Sequence, residues 1–173
     1  MHFGEPISEE RYLKAIRTAY DKGVRTFMTS DVYGKGEADT MLGKALADVP
    51  RDSFCLIGLL GHDIYDGKRA GSRGYARFTD PDLRQPSEYS GYLNKAAEKS
   101  LERIGTDHFD GVLLHNPDSR GYSQDSVWKG MDRLRETKLT EFIGLAPGPA
   151  NGFTLDIIQC FERFGSAIDW SMV

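Results

Sequence analysis

Helix-patterned and strand-patterned segments alternate along the whole chain, which limits it to folds built on a parallel sheet with helical crossovers. Ser8 can cap a first helix whose Tyr12, Ala15, Ile16, Ala19 and Tyr20 follow the i, i+3, i+4, i+7, i+8 spacing of one buried stripe, and Gly23 can close it. A strand over 24–29 follows, then a glycine turn at Gly34, Lys35 and Gly36. A second helix carries Met41, Leu42, Ala45 and Leu46 and stops before Pro50, ahead of an apolar strand at 54–60. Leu93, Ala96, Ala97, Leu101 and Ile104 mark a third helix ended by Gly105, and 109–114 reads as a strand buried on both faces. Val127, Met131 and Leu134 mark a fourth helix before a strand at 141–146. Leu155, Ile158 and Phe161 mark a fifth, leading to a last strand from Ala167 to the C-terminus.

Five helix-then-strand units are too few to close an eight-stranded barrel, and the chain starts on a helix and stops on a strand. The expected architecture is α/β, a single domain over 1–173 that is incomplete at both ends, either a partial barrel or a piece of a longer product. A doubly wound open sheet is the competing arrangement. An open parallel sheet leaves unpaired N–H and C=O groups at its edges, so self-association through those edges is expected if the chain is really this short. Residues 61–91 form a loop rich in Gly, Arg, Asp and Tyr, of a length that usually serves as a lid or specificity element. Its Lys68, Arg69, Arg73, Arg77 and Arg84 balance Asp63, Asp66, Asp80, Asp82 and Glu88, so no anion-binding stripe is expected there. Neither the 34–36 turn nor the Pro-rich segment 146–152 matches a phosphate cradle; both read as turns.

At 173 residues with a net charge of -4, the chain is no counter-ion for nucleic acid or anionic lipid, and a small neutral or polar partner is expected instead. No apolar run approaches the ~20 residues needed to span a bilayer, and the start M-H-F-G-E-P lacks a basic segment followed by an apolar one. A cytoplasmic location is the expectation. Cys55 and Cys160 form no disulfide or zinc spacing and read as packing residues.

Two segments carry chemistry. D-V-Y-G at 31–34 and L-L-H-N-P-D at 113–118 each lie where a strand gives way to a loop, the face on which parallel barrels place their catalytic groups. With F-M-T-S before the first, K-S-L-E-R-I-G-T-D at 99–107 and F-I-G-L at 142–145, the order and spacing resemble the aldo-keto reductases, whose pattern reads F-D-T-A-x-x-Y-G, then R…T-K, then L-L-H-x-P. The resemblance implies an oxidoreductase acting on a carbonyl or hydroxyl of a small, polar, sugar-like substrate with NADP or NAD, Tyr33 serving as acid and His115 as polarising group. It also marks departures. Met28 stands where the family has its Asp and Leu59 where it has its Lys, and that Lys is the cation that makes the family's Tyr acidic. The family holds the nicotinamide carboxamide with a Ser-Asn pair and a Gln; here those positions are Ala146, Pro147 and Ala167. Asp31 and His62 are candidate substitute acid or base groups, with Asp31 alternatively a solvated cap of its turn. His62, Asp63, His115 and Asp118 can be drawn as a divalent-metal cluster, though their spacing matches no fixed ligand motif. Trp170 replaces the more usual Tyr of that strand and reads as packing. Two other activities stay open: redox-free acid/base work, such as a lyase or isomerase, and a non-catalytic binding or regulatory role.

Overall fold

A computed structural model describes residues 7–71, 74–148 and 154–172. Five strands, β1 (Thr26–Ser30), β2 (Cys55–Leu60), β3 (Phe109–His115), β4 (Thr140–Ala146) and β5 (Trp170–Ser171), pair in chain order, all parallel. A doubly wound sheet begins in its middle and reverses direction, whereas a barrel wall adds every strand to the same side. The order β1-β2-β3-β4-β5 is therefore that of a barrel wall, and the open doubly wound arrangement is excluded.

Helices α1 (Glu9–Asp21), α2 (Glu37–Leu46), α3 (Tyr89–Ile104), α4 (Ser119–Ser123), α5 (Asp125–Glu136) and α6 (Thr154–Phe164) alternate with these strands. The main core joins outward strand positions Leu56, Leu60, Val112, Leu114, Ile143 and Leu145 to helix positions that include Leu93, Ala97, Leu101, Met131 and Leu134. The opposite face of the sheet, one residue out of phase, carries a second cluster of Ile57, Leu59, Leu113 and Ala146 flanked by Cys55 and Trp170. That inner face ends in the candidate site.

At the two edges of the described sheet, local pattern and structure part. Ser8 does cap α1, its Oγ accepting from the Arg11 N–H at 3.3 Å, and Gly23 closes it at φ 97°. No residue of α1 is buried, however, because the helix packs on α2 at an open edge of the sheet and only Ile16 and Tyr20 reach the core. The last strand is also shorter than its pattern. Gly165–Ala167 forms a 3-10 turn, so Ala167 precedes β5 rather than lying on it. Helix α4 was not expected; the Asp118 carboxylate caps it by accepting the Gly121 N–H at 2.9 Å.

The long loop is a structured insert. Antiparallel bridges join His62 to Arg77 and Arg69 to Tyr75. Asp63, fully buried, accepts the N–H groups of Tyr65, Asp66 and Gly67 and pairs with Arg84, whose guanidinium lies 4.0 Å from the Tyr92 ring centroid. Phe78 stacks on Tyr92 of α3 at 5.3 Å. These contacts start α3 at Tyr89, ahead of the Leu93 that its apolar pattern marks. Arg73, counted in the loop's charge balance, and positions 149–152 of the Pro-rich turn lie outside the described residues.

Helix α2 reaches α3 through Gly43. A Cβ added there would fall well inside contact distance of the Ile104 carbonyl oxygen, a backbone atom that cannot rotate away. Gly43→Ala is expected to cost about 3 kcal/mol, mainly overpacking. Urea unfolding checks it, and an unchanged midpoint would mean that the two helices do not meet this closely.

Candidate functional site

Parallel pairing brings the ends of β1, β2 and β3 together: Ser30 is in register with Leu59, and Leu59 with Leu113 two residues before His115. The buried Ser30 hydroxyl donates to the Leu59 carbonyl at 2.7 Å and lies 3.1 Å from His115 Nδ1. A hydroxyl has one hydrogen, and the carbonyl takes it. His115 Nδ1 therefore carries a proton, which it donates to Ser30 Oγ, and Nε2 keeps the lone pair. His62 is fixed in the opposite sense. Arg77 Nη1 donates to His62 Nδ1 at 2.8 Å, which puts the ring proton on Nε2. That Nε2–H is buried and has no partner among the described residues.

The three rings form a row. Tyr33 meets His115 edge-on with centroids 5.7 Å apart, and His115 meets His62 at 5.1 Å. Burial, then the neighbouring His62 and Arg77, push the His115 pKa down to about 3. Burial, then Arg77, push His62 down to about 4, partly opposed by its contact with the Tyr75 carbonyl. Both imidazoles are neutral at pH 7. Partial burial raises the Tyr33 pKa; at the positions that resemble the family's Lys and Asp, Leu59 is a packed apolar residue and Met28 is 41% exposed on the inner face. Tyr33 stays a protonated donor.

Asp31 is not the solvated cap its turn suggests. It is 0% exposed and neither oxygen has a well-formed hydrogen bond. Burial, then the like charge of Asp39, push its pKa up to about 8, with Arg103, the Val32 N–H and the Ser30 hydroxyl pulling weakly the other way. Arg103 cannot do more because its Nε and Nη2 already donate to Asp39 at 3.0 and 2.9 Å; Asp39 also accepts Thr29 and Ser100 hydroxyls at 2.7 Å each. No hydrogen bond or ring contact links Asp31 to Tyr33 or His115. The drawn metal cluster is likewise not assembled. Asp63 is spent on Arg84 and three N–H groups and Asp118 on Thr79 and the α4 cap, and no metal-ligating group of side chains occurs among the described residues.

Sequence reasoning put Tyr33, His115 and His62 in one place but missed Ser30 and Arg77, which set both tautomers. Ser30 was visible in F-M-T-S as the residue whose parity matches Leu59; Arg77 had no local signal. The positions that would face a nicotinamide carboxamide do not fit it. Ala146 is a buried methyl, Pro147 lacks even an N–H, and Ala167 sits in the turn before β5. Trp170, beside them, stacks on Phe142 at 5.5 Å.

The model of the Aldo/keto reductase family matches residues 1–160. The chain belongs to the aldo/keto reductase family. Among curated relatives, Aldo-keto reductase AMT2 of Alternaria alternata is 26% identical over 171 residues, covering 90% of this chain and 46% of that protein. Versiconal hemiacetal acetate reductase of Aspergillus parasiticus is 27% identical, over 83% of this chain and 44% of the relative. An aldo/keto reductase of Klebsiella pneumoniae solved with NADP and acetate superposes with a TM-score of 0.69 at 22% identity, over 99% of this chain and 51% of its own. The chain thus spans about half the length of the aldo/keto reductases it matches, and its sheet corresponds to about half of their eight-stranded barrel. No helix among the described residues is long and apolar enough to cross a membrane.

Proposed function

We propose that this site acts on the oxygen of a small polar, sugar-like carbonyl or hydroxyl compound, as an aldo/keto-reductase-type oxidoreductase. The observation that carries the reading is the Tyr33–His115 contact at the strand ends. Tyr33, a neutral phenol, donates to the substrate oxygen; His115, neutral with Nε2 as acceptor, orients a substrate hydroxyl; His62 Nε2–H is a second buried donor beside it. The family's use of NADP or NAD supports a nicotinamide partner, but Ala146, Pro147 and Ala167 offer its carboxamide no side-chain hydrogen bond. Any such cofactor must be gripped by other groups.

That mismatch favours a second reading, redox-free acid/base chemistry of the lyase or isomerase kind with the same three residues. Fluorescence titration with NADPH and NADP+ separates the two. Saturation supports the oxidoreductase reading. No signal at millimolar cofactor, together with proton exchange into a polyol or keto sugar, would replace it with the second, and absence of both leaves a binding or regulatory role. Within either reaction Tyr33→Phe is expected to lower turnover about 100-fold, the scale of one positioned proton donor. Tyr33 is 46% exposed, so the fold should survive the change. Unchanged turnover would remove Tyr33 from the mechanism.

A further inference from the structure

Arg77 is a half-buried cation whose hydrogen bonds among the described residues all go to neutral groups. Arg51, Arg84, Arg103 and Arg135, all at least partly buried, each pair with an aspartate, whereas Arg77 pairs with no carboxylate among the described residues. Its Nε donates to the Asn116 carbonyl, and its Nη1 donates to His62 Nδ1 at 2.8 Å and reaches the Tyr75 carbonyl at 3.4 Å. Nη2 makes no hydrogen bond to a described residue. Asp118 is close enough for its charge to act on Arg77, but its Oδ1 is taken by the Thr79 hydroxyl at 2.8 Å and the Gly121 N–H at 2.9 Å. Arg84 of the same insert, by contrast, pairs directly with Asp63.

The location gives this charge a use. Arg77 grips His62, His62 faces His115, and His115 faces Tyr33, so the guanidinium is joined to the proposed reacting pair through the single ring of His62. Lys35, on the turn after Tyr33, holds its Nζ 5.7 Å from the Tyr75 ring centroid, adding a second positive charge beside the same residue. The buried, unpartnered His62 Nε2–H is one more donor between the two ends. The loop's overall charge balance hides this, because its acids are spent elsewhere: Asp63 and Asp66 on Arg84. We propose that Arg77 binds an anionic oxygen group, a carboxylate or phosphate, on the substrate whose reacting oxygen accepts from Tyr33 beside His115; the inference rests on the reading of that pair as the reacting end. Fixed by three acceptors, the guanidinium is already oriented before the ligand arrives.

The ring NMR signals of His62 and His115 report binding without turnover or cofactor as pyruvate, glycerol 3-phosphate or uncharged glycerol is added to the protein. Saturable shifts at millimolar concentration are expected with an anion and not with glycerol. A response to pyruvate alone assigns a carboxylate, and one to glycerol 3-phosphate alone a phosphate. Arg77→Gln should weaken binding at least about tenfold. Arg77→Lys, which keeps the charge and loses the fork, should weaken it less, and it serves where Arg77→Gln does not fold. Tyr33→Phe, which removes a donor only at the other end of the ligand, should weaken anion binding less than Arg77→Gln does whatever happens to turnover, so failure of the anion site and failure of the reaction reading are told apart. No saturable shift with either anion, equal affinity in Arg77→Gln, or an equal response to glycerol overturns the proposal.

Discussion

Asp31→Asn is expected to stabilise the protein at pH 7 by about 2 to 4 kcal/mol, an unusual sign for a change at a fully buried position. The Asp31 pKa rises from 3.8 to about 8 on folding, so between those values the folded chain holds a proton that the unfolded chain releases. Each pH unit in that window costs about 1.4 kcal/mol, which sets the upper figure; the lower allows for water reaching the carboxyl and for the unsatisfied amide left behind. Stability from this group is full below pH 4 and falls as pH rises towards 8. The buried imidazoles of His62 and His115 act in the other direction. Their pKa values fall to about 4 and about 3, so the unfolded chain takes up protons below about 6.5 that the folded chain refuses, and stability drops on acidification. The wild-type protein should therefore be most stable near pH 6.5, where the one proton held by Asp31 balances the two half-protonated imidazoles of the unfolded chain, with Asp31→Asn extending the maximum upward. Urea unfolding at pH 5, 6.5 and 8 measures this. Parallel profiles for the two proteins would show that Asp31 is solvated and ionised after all.

What the sequence makes legible follows from where each signal resides. Helical and strand periodicity belongs to single segments, so α2, α3, α5 and β2 to β4 can be read directly, and the spacing of D-V-Y-G and L-L-H-N-P-D suffices to bring Tyr33 and His115 to one face. The stripe of α1 misleads because a local pattern does not record how little of it α2 covers, and β5 because Ile168 and Asp169 continue an extended pattern without pairing as strand. Protonation states are less legible still. The environment of Asp31 depends on Asp39 from α2 and on Arg103 from α3, which donates to Asp39 and Tyr65 instead, and the tautomer of His115 depends on a serine of β1 and a carbonyl of β2. Counting charges over 61–91 leaves the pairing of Arg77 unread for the same reason: a balanced sum does not say which acid each base touches.

Leu59→Lys is expected to destabilise the chain by about 4 kcal/mol on its own, although it puts back a residue that the family uses. Leu59 is 1% exposed, packed with Ile57, Leu113 and Ala146, and its backbone carbonyl accepts the Ser30 hydroxyl that positions His115. A lysine there leaves an apolar cluster with an ammonium and no acid nearby, since the family's aspartate position is Met28. It meets that cost by losing its proton, and a neutral amine cannot lower the Tyr33 pKa. Met28→Asp supplies the missing acid from the adjacent strand on the same inner face. The double change Met28→Asp/Leu59→Lys should recover at least about 2 kcal/mol of the loss, and the tyrosinate absorbance that disappears with Tyr33→Phe should then titrate at lower pH. The two positions are then expected to act as one unit, tolerated as Met28 with Leu59 or as an ion pair and costly when mixed. Additive effects in a double-mutant cycle would refute that coupling, and an unmoved Tyr33 titration would mean that the lysine does not reach the phenol.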